Sequence, residues 1–300
     1  MGMLANIIVA TDGSEASDRM VECATGLRRV GGKMVALVHV FNVRDVGGLY
    51  QSLQEYMLPK LEKQAGILRQ AGFQVDVLTP LGFPAYEINK LARQRSASLI
   101  VVGSHGASMA REGLLGSTAQ ALLHHMTFPT LLVRLEIAEE NGGRRCRAIC
   151  GEMFRHILFP TDFSDIAEHA LLYLEHLLHE MGSQVTLLHV QDKSRIEPHL
   201  RHRLDEFNEI DTERLEGIQM RLERCGASSV EKEIAYGSPT QIILERARTG
   251  NFSLILMGSQ GKGFIREVFL GSIANNVARL APLPVLFIPA PGAHESPHGF

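Results

Sequence analysis

Two sets of glycines laid at the same spacing carry the most specific chemistry this sequence offers. Gly103, Gly106 and Gly116, with Ser117 behind the last, repeat as Gly258, Gly261 and Gly271 with Ser272 behind. Glycine lets main chain approach a ligand with no Cβ in the way and admits φ > 0. A helix opening at Gly116 or Gly271 would turn free N–H groups and its positive dipole end toward an anion, and Ser117 and Ser272 would add a hydroxyl donor. The chemistry this fits is the holding of a phosphate. Upstream, Asp12 and Asp162 stand in matching Thr-Asp-x-Ser runs. A carboxylate beside a phosphate cradle would repel phosphate, so its natural partner is a neutral donor, such as a ribose hydroxyl or the adenine amino group. The plainer readings are glycines that only punctuate turns and aspartates that only cap helices. The doubled spacing weighs for a ligand.

The elements that must position these residues are themselves duplicated. Residues 6–14 return as 156–164, 37–40 as 187–190, 99–106 as 254–261 and 128–133 as 283–288. Within each copy, unbroken runs of Val, Ile and Leu alternate with longer amphipathic stretches, the pattern of parallel strands covered on both faces by crossover helices. Strands are expected near 4–11, 34–42, 73–79, 98–103 and 129–135, with helices near 15–30, 51–71, 84–96 and 116–125. The second copy places strands near 155–161, 184–191, 229–235, 253–258 and 284–289, with helices near 165–181, 199–225, 239–249 and 271–280. Ser14 and Ser164 suit the N-cap position, while Gly31, Gly72, Gly182 and Gly226 stop helices. Each half is thus expected to be an α/β domain built on an open five-stranded parallel sheet with helices on both faces. In such sheets ligands sit outside the carboxyl ends of the strands, where the winding reverses. The glycine loop leaves strand four and the aspartate leaves strand one. The expected boundaries are 1–137, a polar Arg-rich linker over 138–152 with Gly142, Gly143 and Gly151 as flexible points, 153–290, and a tail over 291–300.

Composition narrows the partners. Among 300 residues, 30 Lys and Arg face 33 Asp and Glu, a formal net charge of −3. That balance offers no broad positive field for nucleic acid or an anionic membrane. No apolar run reaches the ~20 residues of a membrane span, and the first residues lack a signal-peptide layout, so the chain reads as soluble and cytoplasmic. Cys23 and Cys225 read as small buried apolar groups. Cys146 and Cys150 lie among arginines that could activate a thiol, but no further ligands follow at zinc spacing. His39 and His189 match, yet a histidine ending a buried strand is ordinarily hydrogen-bonded in place. Gln260 at the position matching His105 excludes a shared proton transfer there. No Gly-x4-Gly-Lys-Ser/Thr loop and no recurring nucleophile and base are present, so binding is favoured over catalysis. The rival is a slow ATP hydrolase or phosphotransferase with Lys262 and Arg266 steadying the phosphate, and a third reading is a scaffold with vestigial pockets.

Thr-Asp-x-Ser after the first strand, His-Val closing the second, and Gly-x2-Gly-x9-Gly-Ser after the fourth resemble the universal stress protein family, in both halves and over nearly the whole chain. The resemblance implies an adenine nucleotide alpha hydrolase-like fold with strand order 3-2-1-4-5 and a cytoplasmic location. It implies bound ATP or AMP, with Mg2+ accompanying ATP. It also implies pairing through the fifth strands, which the two halves could satisfy as a pseudo-dimer inside one chain, with a homodimer beyond that. A nucleotide-responsive stress or regulatory protein acting on an unknown protein partner is the function it implies. Carried over by position, Ala10, Asp12, Val40 and Val102 would contact base and ribose in the first half, with Gly103, Gly106, Gly116, Ser117 and Thr118 around ribose and phosphates. The second half supplies Pro160, Asp162, Val190, Met257, Gly258, Gly261, Gly271, Ser272 and Ile273. Ala10 departs from the proline kept as Pro160, which loosens the first base pocket. Lys262 and Arg266 stand in the second glycine loop where the first has only Arg111. Added cations favour a longer phosphate chain, so the second site is expected to prefer ATP more than the first.

Overall fold

The computed structural model describes residues 3–105, 114–140, 143–148, 152–197, 199–261 and 270–292, with main chain only over 135–140 and 143–148. The chain divides into two compact units, the second running from Glu152 to Pro291.

In the first unit the order is β1 (Asn6–Ala10), α1 (Glu15–Ala24), β2 (Met34–Val38), β3 (Phe41–Asn42), α2 (Val43–Val46), α3 (Tyr50–Gln70), β4 (Gln74–Leu78), β5 (Leu81–Gly82), α4 (Pro84–Gln94), β6 (Leu99–Gly103), α5 (Ser117–His124) and β7 (Thr130–Val133). A hairpin of β8 (Leu135–Glu140) and β9 (Gly143–Ala148) follows. The second unit runs β10 (His156–Thr161), α6 (Asp165–Met181), β11 (Gln184–Asp192), α7 (Lys193–Ile196), α8 (Leu204–Arg224), β12 (Ser229–Gly237), α9 (Pro239–Thr249), β13 (Leu254–Gly258), α10 (Ser272–Leu280) and β14 (Val285–Ile288).

The first sheet is ordered β4-β2-β1-β6-β7 and the second β12-β11-β10-β13-β14, every pairing parallel. Each is the order 3-2-1-4-5, and the winding reverses between β1 and β6 and between β10 and β13. The central strands are continuous apolar runs because both of their faces are covered. Leu254, Ile255 and Leu256 are all fully buried, as is Phe159 beside them on β10. The outer strands β4 and β12 admit Gln74, Asp76, Glu231 and Lys232 because their surroundings are wetter. Helix α6 shows how a crossover is cut to length. Ser164 caps it by accepting from the Ala167 amide, and Ile166, Ala170, Leu174 and Leu178 form its buried stripe. Gly182 ends it in the left-handed conformation at φ 61°, donating its amide to the Leu178 carbonyl at 2.9 Å.

Two expectations are corrected. The stretch read as a flexible linker holds an antiparallel hairpin, in register Glu136↔Arg147 and Glu139↔Arg144. The register partners named are opposite in charge. The hairpin lies against α1, which carries Cys23. Cys23 is disulfide-bonded rather than a simple apolar filler, while Cys225 is a free thiol. The side chains of Cys146 and Cys150 lie outside the described residues.

Candidate functional site

At the carboxyl end of β10, Asp162 does not cap the following helix. Its Oδ1 accepts the Ser164 amide at 3.1 Å, and Ser164 Oγ accepts the Ala167 amide at 3.2 Å. The first unit repeats this: Asp12 Oδ1 accepts the Ser14 amide at 3.0 Å, and Ser14 Oγ accepts the Ser17 amide at 3.2 Å. The serines are the caps and the aspartates brace them, so the helix-cap reading of Asp12 and Asp162 gives way. The residue between has positive φ in both copies, 70° at Gly13 and 56° at Phe163. For a phenylalanine that is a strained conformation, and its ring lies 4.5 Å from the His189 ring with the Arg214 guanidinium 5.3 Å from its own centroid.

Across the winding reversal, the chain returns to open α10. The Gly271 amide donates to Ser259 O at 2.8 Å, and the Gly116 amide donates to Ser104 O at 2.9 Å at the corresponding start of α5. Gly116 and Gly271 stand at the N-cap positions, so neither helix has a side-chain N-cap among the described residues. The described motif glycines do not supply unusual dihedrals, since Gly103, Gly116, Gly258, Gly261 and Gly271 do not have positive φ. This corrects the expectation of φ > 0. A Cβ at Gly258 would stand 2.8 Å from Ile166 Cγ2, one at Gly261 would stand 2.5 Å from Asp162 Oδ2, and one at Gly271 would press on Gln260 Cα at 3.2 Å. Gly106, Lys262 and Arg266 lie outside the described residues.

In the second unit Pro160, Asp162, Val190, Met257, Gly258, Gly261, Gly271, Ser272 and Ile273 all line one cavity of about 860 Å³. In the first unit Ala10, Asp12, Val102, Gly103, Gly116, Ser117 and Thr118 gather at the carboxyl end of β1 and β6 and the start of α5, and Val40 follows β2. The second-unit cavity reaches beyond the expected set, to Arg195 and Ile196 on α7 and Phe207, Ile210, Asp211 and Arg214 on α8. These residues were missed because an amphipathic helix pattern marks its inner face without saying which inner residue meets a cavity. The cavity is therefore lined both by the glycine-loop residues and start of α10 and by residues of α7 and α8, with Asp162 beside Gly261.

His189 is held as expected, its Nδ1 donating to the Thr161 carbonyl at 2.8 Å, and His39 does the same to Thr11 O at 3.0 Å. The two then diverge. His189 Nε2 stands 3.2 Å from Asp211 Oδ2, whereas His39 meets the ring of Phe41 edge-on at 4.7 Å. Burial holds the His39 imidazole below its ordinary value, against opposing pulls from the Thr11 carbonyl and Asp12. Burial lowers His105 and His156 as well. The unfolded chain binds these protons more readily, so stability is full above the ordinary histidine value of about 6.5 and declines as pH falls through it. The thermal midpoint is expected to drop on acidification from about pH 7.5 to 5.5. His39→Gln, whose amide can still donate to Thr11 O, should flatten part of that drop in a pH series of melting curves.

The fold defines a class: a duplicated α/β protein in which the sheet winding reverses once in each half, with a cavity at the second of these reversals. The model of the universal stress protein family matches residues 3–134 and again 153–289, and the chain belongs to that family in tandem form. A universal stress protein of Mycolicibacterium smegmatis is 25% identical over 300 residues, covering 94% of this chain and 96% of its own. One from Methanocaldococcus jannaschii is 32% identical over 155 residues, 45% of this chain and 95% of its own. Among solved structures, a universal stress protein from Archaeoglobus fulgidus superposes with a TM-score of 0.73 at 25% identity, covering 95% of this chain and 98% of that one.

Proposed function

We propose that this chain binds an adenine nucleotide in each half and acts as a nucleotide-responsive stress or regulatory protein. The observation that carries the reading is the second-unit cavity, in which nine residues singled out from the sequence converge with the uncapped start of α10 at one end. Phosphates would lie on the amides that follow Gly271 and near Ser272, a ribose hydroxyl would donate to Asp162, and the base would extend past Pro160, Val190 and Met257. Occupancy would favour the conformation in which both walls of the cavity are engaged, and contact with a protein partner would follow that population. ATP rather than AMP is the expected occupant of the second half, by the two cations of its glycine loop, with Mg2+ accompanying it. Mass spectrometry of small molecules released from the denatured purified protein, followed by calorimetric titration of ATP and AMP, tests this. Two equivalents of adenine nucleotide per chain are expected. A protein that carries none, and shows neither heat nor thermal shift with either nucleotide, would refute the reading.

A further inference from the structure

The far wall of the second-unit cavity is not built like its first-unit counterpart. Helices α3 and α8 have the same length, and Met57 and Asp211 occupy the same position along them. Two residues after the matched histidines stand Phe41 in one copy and Gln191 in the other. In the first unit Met57 reaches over the turn, its Sδ 2.5 Å from where a Cβ on Gly13 would be. In the second unit Phe163 supplies its own side chain at that turn, and Asp211 instead faces the end of β11. Its Oδ2 accepts from Gln191 Nε2 at 3.0 Å and lies 3.2 Å from His189 Nε2. All three side chains are buried and line the cavity. Oδ1 is ion-paired with Arg214 Nη1 at 3.8 Å, a separation too long for a hydrogen bond, so its hydrogen-bonding capacity is not taken up by that contact. A carboxylate clamped through one oxygen thus offers the other to whatever fills the far end.

Resting on the adenine-nucleotide reading, and deepening it, we propose that Asp211 selects the base in the second half by accepting a hydrogen from an exocyclic amino group. With phosphates at the α10 end and the sugar at Asp162, the base is the part of a nucleotide that extends toward α8. A 6-amino purine turns an N–H toward that end, whereas a 6-oxo purine turns a carbonyl oxygen, which would face the carboxylate lone pair to lone pair. Gln191 is a positioning residue: the hydrogen bond from its Nε2 fixes Oδ2 and with it the direction in which Oδ1 points. The first half, with Met57 and Phe41, has no matching acceptor at these positions and discriminates weakly.

ATP and ITP differ at the six-position substituent and at N1, which carries a hydrogen only in ITP, and their affinities for the full chain carrying Gly116→Val, chosen to silence the first half, measure the selection. This parent should bind ATP about tenfold or more tighter than ITP. Asp211→Asn keeps the shape but lets a donor face the base, and Asp211→Met copies the first half. Either should weaken ATP about tenfold without weakening ITP and bring the ratio to one or below. A ratio unchanged in both variants, or equal weakening of ATP and ITP, would overturn the proposal and leave nucleotide binding standing. Failure of the parent to bind either nucleotide would overturn both.

Discussion

Gly261→Val is expected to cut nucleotide affinity in the second half on the order of a hundredfold while leaving the first half untouched. A Cβ at this position would stand 2.5 Å from Asp162 Oδ2, the carboxylate assigned to the sugar. The branched side chain must push either the loop or the aspartate aside. Asp162 cannot retreat freely, because its Oδ1 holds the Ser164 amide and Ser164 in turn caps α6. The loop therefore moves, carrying the approach to Gly271 with it. Calorimetric titration should find one strong site remaining, with a melting curve close to that of the parent. Retention of both sites at full affinity would mean that the ligand lies elsewhere.

Phe159→Ala should destabilise the second unit by about 3–5 kcal/mol, the largest stability effect expected from one side chain here. Phe159 is 1% exposed within β10 and pairs in parallel with Leu187. Removing the ring leaves a cavity between sheet and helices that close packing cannot refill. Chemical denaturation followed by circular dichroism should show an early transition, and added ATP should shift it back by mass action if the fold survives to bind. A loss under 1 kcal/mol would mean that the sheet repacks around the gap.

Much of this architecture was legible because parallel strands announce themselves. Residues 99–103 and 254–258 are apolar throughout, and only a strand buried on both faces needs such a run. Ser14 and Ser164 could be read as caps because a hydroxyl before an amphipathic stretch has one efficient use. The glycine spacing located the loops yet misled on the reason: Gly258 and Gly261 give room to Ile166 and Asp162 rather than supply unusual dihedrals. Asp211 was hidden for a different cause. It lies some fifty residues from Asp162 in sequence, on a helix rich in charge, and nothing in a charge pattern tells a solvated carboxylate from one turned inward to a histidine. The hairpin of 135–140 and 143–148 is hard to read from sequence because its strands are rich in Glu and Arg, the composition of a solvated linker.

The exchange of Met57 for Asp211 between otherwise matching helices has a bearing on dose. A lone receptor passes from nearly vacant to nearly saturated over about two decades of ligand concentration. A polypeptide carrying one exacting and one permissive receptor would answer over a wider span, and would respond to the purity of the purine pool as well as to its size.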